Sequence, residues 1–157
     1  MAHNVNSPDE EIISLSVFAD IKRLPLIQTI TKEVAEQCGL DKEKGSKVSL
    51  AIEEIFHYCV GLIRTRKAPS RITLTYLRKY PSLHIQIEYT GPRGVLEKHF
   101  SPGNERSFKL TSFEAIGLHL ADASIDDLQY VRFHDGKNRF TMTINAPSDR
   151  SPAPSPA

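Results

Sequence analysis

The stretch LAIEEIFHYCV, residues 50–60, concentrates the side chains of this sequence that could do chemistry. Glu53 and His57 stand four apart, as do Glu54 and Tyr58, so on a helix each pair shares a face. A carboxylate beside an imidazole can move a proton or help to hold a cation. The simpler reading of Glu53 and His57 is a surface charge pair; with a one-residue slip they would be a metal-assisting pair. Glu54, taken alone, is more simply a solvated charge than a general base. Other chemical patterns are missing. The six histidines show no metal-ligand spacing, and two distant cysteines, Cys38 and Cys59, do not make a zinc site. There is no nucleophile elbow and no Walker-type glycine loop. Arg64, Arg66, Lys67 and Arg71 form a basic cluster, ordinarily a solvated face and otherwise a dock for an acidic partner.

Composition bounds what these residues can serve. The chain has 157 residues, 39% hydrophobic and 25% charged, which is one ordinary domain with enough apolar material for a core. Twenty Lys plus Arg against 19 Asp plus Glu leave a net charge of +1, which removes the electrostatic argument for bulk nucleic-acid binding. No apolar run approaches the roughly 18 residues of a membrane span, and the polar, acidic start is unlike a signal peptide. Two cysteines do not build a disulfide scaffold. A reduced, cytoplasmic setting is the expectation. Four of the 10 prolines lie in the last eleven residues, PSDRSPAPSPA. That segment cannot offset its ordering entropy and is expected to be disordered. Residues 1–10 are read likewise, leaving a folding unit at 11–146.

The elements that must position the candidate residues follow from hydrophobic period. Residues 11–18 are β-branched and apolar and read as a strand. Pro25 suits the first turn of a helix whose apolar positions are Ile27, Ile30, Val34 and Cys38, with Gly39 closing it. A second helix starts near Asp41 and carries the stripe Val48, Ala51, Ile52, Ile55, Cys59 and Leu62; Lys67, Ala68 and Pro69 break it. Residues 71–79 and 83–89 alternate strictly, the pattern of antiparallel strands with one wet face, and Pro81 and Ser82 fall in the turn between them. Residues 90–94 form a Gly/Pro loop. Residues 95–112 have no period and read as a long surface segment. Ser112 caps a helix at 113–124 with Ile116, Leu120 and Ala121 on one face. Strands 128–134 and 138–144 flank the hairpin dipeptide Asp135-Gly136. The order predicts an α+β two-layer sandwich: a mostly antiparallel sheet of about five strands, covered on one face by three helices.

Residues 50–60 resemble the first signature helix of the GHKL, or histidine-kinase-like, ATPase domains. The closest subgroup is the small anti-sigma-factor serine kinases. IQIEYTGPRG (85–94) is similar to that family's strand ending in Asp-x-Gly, and FEAIGLHLAD (113–122) to its Gly-Gly-Leu-Gly stretch. The hairpin 130–144 is similar to its closing strands. The resemblance spans nearly the whole folding unit in the right order. It implies an ATP pocket with Mg²⁺ and assigns Glu54 as the base that polarises the attacking group. It places Tyr58, Tyr89, Gly91, Gly94, Ala115 and Gly117 at nucleotide-contacting positions, with no metal ligand identified. Three of these positions depart from the family pattern. Tyr58 stands where the family has its Mg²⁺-binding Asn, and a phenol is a poor Mg²⁺ ligand. Tyr89 stands where an Asp accepts from the adenine amino group. Glu114 and Ala115 replace two phosphate-cradling glycines, and a carboxylate repels a triphosphate. Tyr58 and Tyr89 are most simply partly buried packing residues, and otherwise plug the pocket or stack on an altered ligand.

The resemblance therefore implies a regulatory domain acting by partner switching with a sigma factor or a STAS-type antagonist, with ATP and Mg²⁺ use weakened or lost. Homodimer formation is a further expectation; nucleic acid and membrane are not expected as partners. The alternative is an active ATP-dependent serine kinase phosphorylating a STAS-type partner, and a third possibility is a purely structural domain.

Overall fold

A computed structural model of the chain describes residues 9–64, 70–103 and 109–146. Within them the chain runs β1 (Glu10–Phe18), α1 (Leu24–Gln37), α2 (Lys42–Ile63), β2 (Arg71–Lys79), β3 (Ser82–Thr90), α3 (Phe113–Ser124), β4 (Asp127–Arg132) and β5 (Lys137–Asn145). Short 3₁₀ turns occupy Ile21–Arg23 and Glu97–Phe100. The five strands form one antiparallel sheet in the order β1-β2-β3-β5-β4. With three helices it makes the expected α+β sandwich.

Local chemistry explains the element ends. Pro25 sits in the first turn of α1. Its far end is a Schellman closure: Gly39 takes φ 77°, its N–H donates to Glu36 O, and the Leu40 N–H donates to Ala35 O. The carboxylate of Asp41 caps α2 by accepting from the Lys44 N–H at 2.8 Å. Ser112 caps α3 by accepting from the Ala115 N–H at 3.1 Å. The strands put one row of side chains inward: Ile72, Leu74 and Tyr76 on β2, and Leu83, Ile85, Ile87 and Tyr89 on β3. Opposite them lies the stripe of α2, with Ala51, Ile52, Ile55 and Cys59 fully buried.

Five expectations are corrected. The first strand opens at Glu10, inside the segment assigned to the N-terminal tail; residues 1–8 and 147–157 lie outside the described residues. Ser82 pairs with Lys79 and Asn145 as the first residue of β3, so Tyr80 and Pro81 alone make that turn. β4 ends at Arg132, and the hairpin connection is the longer Phe133 to Gly136 turn, with Gly136 at φ 84°. The inward side of α3 is Ala115, Gly117, Leu118 and Ala121, whereas Ile116 and Leu120 are exposed and Phe113 is 92% exposed. Apolar residues lie on both sides of this helix, and it buries the small ones because they allow close approach to α2. Finally, the segment expected on the surface between 95 and 112 turns inward at Glu97 and Phe100, both buried. Residues 65–69 and 104–108, including Arg66 and Lys67 of the basic cluster, lie outside the described residues. Arg71 covers Phe18 with its guanidinium, 4.4 Å from the ring centroid, and bonds Ser16.

Candidate functional site

Two neighbouring i, i+4 rows run along α2: Glu53, His57 and Gly61, and beside them Glu54, Tyr58 and Leu62. Together with Phe113 and Glu114 at the start of α3 they line a cleft of about 480 Å³. Among the described residues, three carboxylates line this space and none of the lining residues is Lys or Arg. Glu53 accepts a long hydrogen bond from Gln28 Nε2 at 3.4 Å, which ties it to α1 rather than to His57. Glu54 reaches toward α3. A Cβ on Gly117 would collide with Glu54 Oε2, so this glycine is small because a carboxylate lies against it.

Tyr58 forms the inner wall. It is buried, packs edge-on against Phe140 with ring centroids 6.1 Å apart, and its hydroxyl donates to Glu97 Oε2. Glu97 is fully buried, and its second oxygen, Oε1, has no hydrogen-bond partner among the described residues. The Tyr89 hydroxyl is likewise buried and unpartnered. Burial, reinforced by the negative charge of Glu97, raises the pKa of Tyr58 above the ordinary tyrosine value. Burial, with lesser contributions from Cys59 and Glu97, does the same for Tyr89, and the Cys59 thiol is pushed up by burial and Glu97. These groups hold their protons at neutral pH. Gly94 lies over this contact: a Cβ there would be 2.5 Å from Tyr58 Oη, 2.8 Å from Glu97 Oε2 and 3.0 Å from Leu62 Cδ2.

The loop after β3 is held from below by Asn138, a fully buried amide in the otherwise apolar row of β5. Its Oδ1 accepts from the Tyr130 hydroxyl at 2.5 Å and from Arg132 Nη1 at 2.9 Å. Its Nδ2 donates to the carbonyls of Tyr89, Gly91 and Gly136 at 3.2 to 3.4 Å. Arg132 Nη1 also donates to Gly91 O at 3.0 Å. A Cβ on Gly91 would meet only ordinary contacts at 3.9 to 4.0 Å, so the carbonyl rather than the missing side chain matters there. Ala115 is buried, and its amide is spent on the helix cap.

Of the residues singled out from sequence, Glu54 and Tyr58 therefore share the cleft with Glu53, His57 and Glu114. Gly94 and Gly117 make close approaches to the chain's own side chains. Tyr89 and Gly91 sit in the polar network behind Tyr58. Sequence reasoning missed Glu97, Asn138 and Arg132. Asn138 had a signal, a polar residue in an inward strand position; Glu97 had none, since no period surrounds it.

The family model of the histidine kinase-like ATPase domain matches residues 17–144. The chain belongs to that family. None of the curated proteins matches it in sequence. Membership implies possible ATP and Mg²⁺ binding. Against that group, the described lining is acidic, which repels a triphosphate, and the Tyr58 hydroxyl is committed as a donor to Glu97. No described helix is long and apolar enough to cross a membrane.

Proposed function

We propose that this chain is a regulatory domain of the anti-sigma type, which works in the cytoplasm by binding a protein partner and has weakened or lost the use of ATP. The partner would be a sigma factor or a STAS-type antagonist. One observation carries the reading: Tyr58, at the position the resemblance gives to a metal-binding Asn, lines the cleft with its hydroxyl already committed to the buried Glu97. The three carboxylates facing the same space add repulsion toward a triphosphate. The test is a calorimetric titration of the full chain with ATP, with and without Mg²⁺, paired with thermal melting. No saturable heat and an unchanged melting temperature at millimolar ATP are expected. A ligand that binds only the native state at about 100 times its Kd stabilises by about 2.7 kcal/mol, so a clear upward shift would overturn the reading.

The competing reading is an ATP-dependent serine kinase with Glu54 as base. It is favoured by the place of Glu54 in the cleft wall. It requires phosphate transfer to a STAS-type protein that Glu54→Ala abolishes.

A further inference from the structure

Helices α2 and α3 run antiparallel where they meet. Glu54 Oε2 of α2 lies against Gly117 of α3, while Tyr58 and Leu62, farther along α2, share the cleft with Phe113 and Glu114 at the start of α3. On the other side of the Glu54 contact, a turn back along α2 and a turn on along α3, stand Leu50 and Leu120. Both are exposed, as is Ile116, and Phe113 is 92% exposed. Phe113, Ile116 and Leu120 recur at three- and four-residue spacing, so they form one stripe on the outward side of α3. A globular helix ordinarily turns such a stripe into the core. Here the smaller Ala115, Gly117, Leu118 and Ala121 take the inward side, and the large residues stay in water. Phe113 belongs to both features, as the first residue of the stripe and as part of the cleft lining.

Charge decides what can lie on this stripe. At its Phe113 end the cleft presents Glu53, Glu54 and Glu114, and among the described residues no Lys, Arg or His forms an ion pair with any of them. A membrane surface or a nucleic acid carries phosphate, which this end repels. A second copy docked through the same face would bring two sets of three carboxylates together. A small cation would occupy the cleft and leave the apolar stripe uncovered. Both parts are satisfied by a helix with one apolar side and with Lys or Arg at one end, laid along the stripe.

We propose that the exposed stripe of α3 and the acidic cleft at its start form one docking surface for a basic amphipathic helix of a partner protein. The apolar side of that helix lies on Phe113, Ile116 and Leu120, and its basic side chains enter the cleft to pair with Glu54 and Glu114. This rests on the reading that the chain acts by binding a protein, and it supplies the recognition chemistry of that partner. Phe113 is the anchor, since an exposed ring at the mouth of an acidic cleft offers apolar area to a leucine and its face to a guanidinium.

The test uses the full chain and three fluorescent synthetic peptides of about 16 residues, long enough to become helical. The first carries leucines at helical spacing on one side and arginines at one end. The second has glutamates in place of the arginines, and the third has the first one's residues in scrambled order. Anisotropy should show saturable binding of the first peptide, with the other two at least about tenfold weaker. Amide shifts on binding should centre on residues 50–57 and 113–120. Phe113→Ala should weaken the first peptide about tenfold, the scale of a lost aromatic anchor. Glu114→Arg should weaken it similarly and strengthen the glutamate peptide. Tyr80→Ala removes another exposed aromatic, on the turn between β2 and β3, and should change nothing. Phe113 and Glu114 are both exposed, so these variants should keep the fold, which thermal melting checks. If either fails to fold, the ranking of the three peptides on the unaltered chain decides. Equal affinity for the three peptides, shifts centred elsewhere, or unchanged binding by a folded Phe113→Ala overturns the surface. Self-association in sedimentation that Phe113→Ala abolishes overturns it in favour of a second copy. ATP titrations on the same proteins are read separately. Saturable ATP binding overturns the proposed loss of nucleotide use and leaves the docking surface standing, whereas failure of the peptides alone leaves that loss intact.

Discussion

Replacing Gly117 by alanine measures the packing of α3 on Glu54. Glycine inside a helix is disfavoured relative to alanine by about 1 kcal/mol, so the backbone alone predicts a gain of that size. Against this, the new methyl would land on Glu54 Oε2, with Glu54 Cδ at 3.4 Å. The obstacle is the end of a flexible side chain, and driving it off its rotamer costs about 0.5–1.5 kcal/mol. The two effects nearly cancel, so Gly117→Ala alone should leave stability within about 0.5 kcal/mol of the starting value. In a Glu54→Ala background what remains is Glu54 Cβ, 3.8 Å from the new methyl, an ordinary contact. There the same substitution should show its full gain of about 1 kcal/mol. The coupling between the two changes is therefore about 1 kcal/mol, read from urea midpoints of the four proteins at constant slope. A coupling below about 0.3 kcal/mol would falsify the contact, because independent sites add to within that margin. The outcome bears on function: a glycine kept small by a bound phosphate would not be relieved by removing Glu54.

Two further predictions concern the polar network and the open face of the sheet. Asn138→Ala removes a buried acceptor used by Tyr130 and Arg132 and a donor to three carbonyls, and should cost about 2–4 kcal/mol in urea unfolding; a loss under about 1 kcal/mol would mean that the network is not formed. His84 is half-buried, and burial, helped by the charge of Lys79 and opposed by Asp9 and Asp127, lowers its pKa below 6.5. Unfolded chains then take up the proton at a higher pH than the folded chain does, so stability should fall as pH drops below 6.5. His84→Gln should flatten that part of the pH profile, and an unaltered slope between pH 7 and the acid limb would refute it.

Much of the architecture is legible without coordinates. The alternation of Ile72, Leu74 and Tyr76 and of Leu83, Ile85, Ile87 and Tyr89 has only one arrangement that buries one face, and that arrangement is the observed pairing of β2 with β3. Gly39 and Asp41 end one helix and start the next through contacts within a few residues, so local sequence suffices for them. The row Glu54, Tyr58, Leu62 follows from helical geometry alone, and with it one wall of the cleft.

The rest depends on contacts between distant parts of the chain. Which side of α3 turns inward is undecided by its pattern, because Ile116 and Leu120 compete with Ala115, Leu118 and Ala121. The close packing of α3 on α2 selects the smaller set. Asn138 sits in an apolar row and looks like a fault until the carbonyls of the loop after β3 are brought over it. Glu97 is the plainest case. Its sequence neighbours mark it as a surface charge, and a carboxylate enters a core only where a partner is waiting. That partner, Tyr58, comes from a helix 39 residues earlier, and only the folded chain places the two together. The sequence by itself thus determined the scaffold and the residues facing the cleft. The tertiary structure decided that the Tyr58 hydroxyl of the cleft wall bonds to a buried carboxylate from the segment after β3, because long-range burial, not local propensity, sets where a charge can sit.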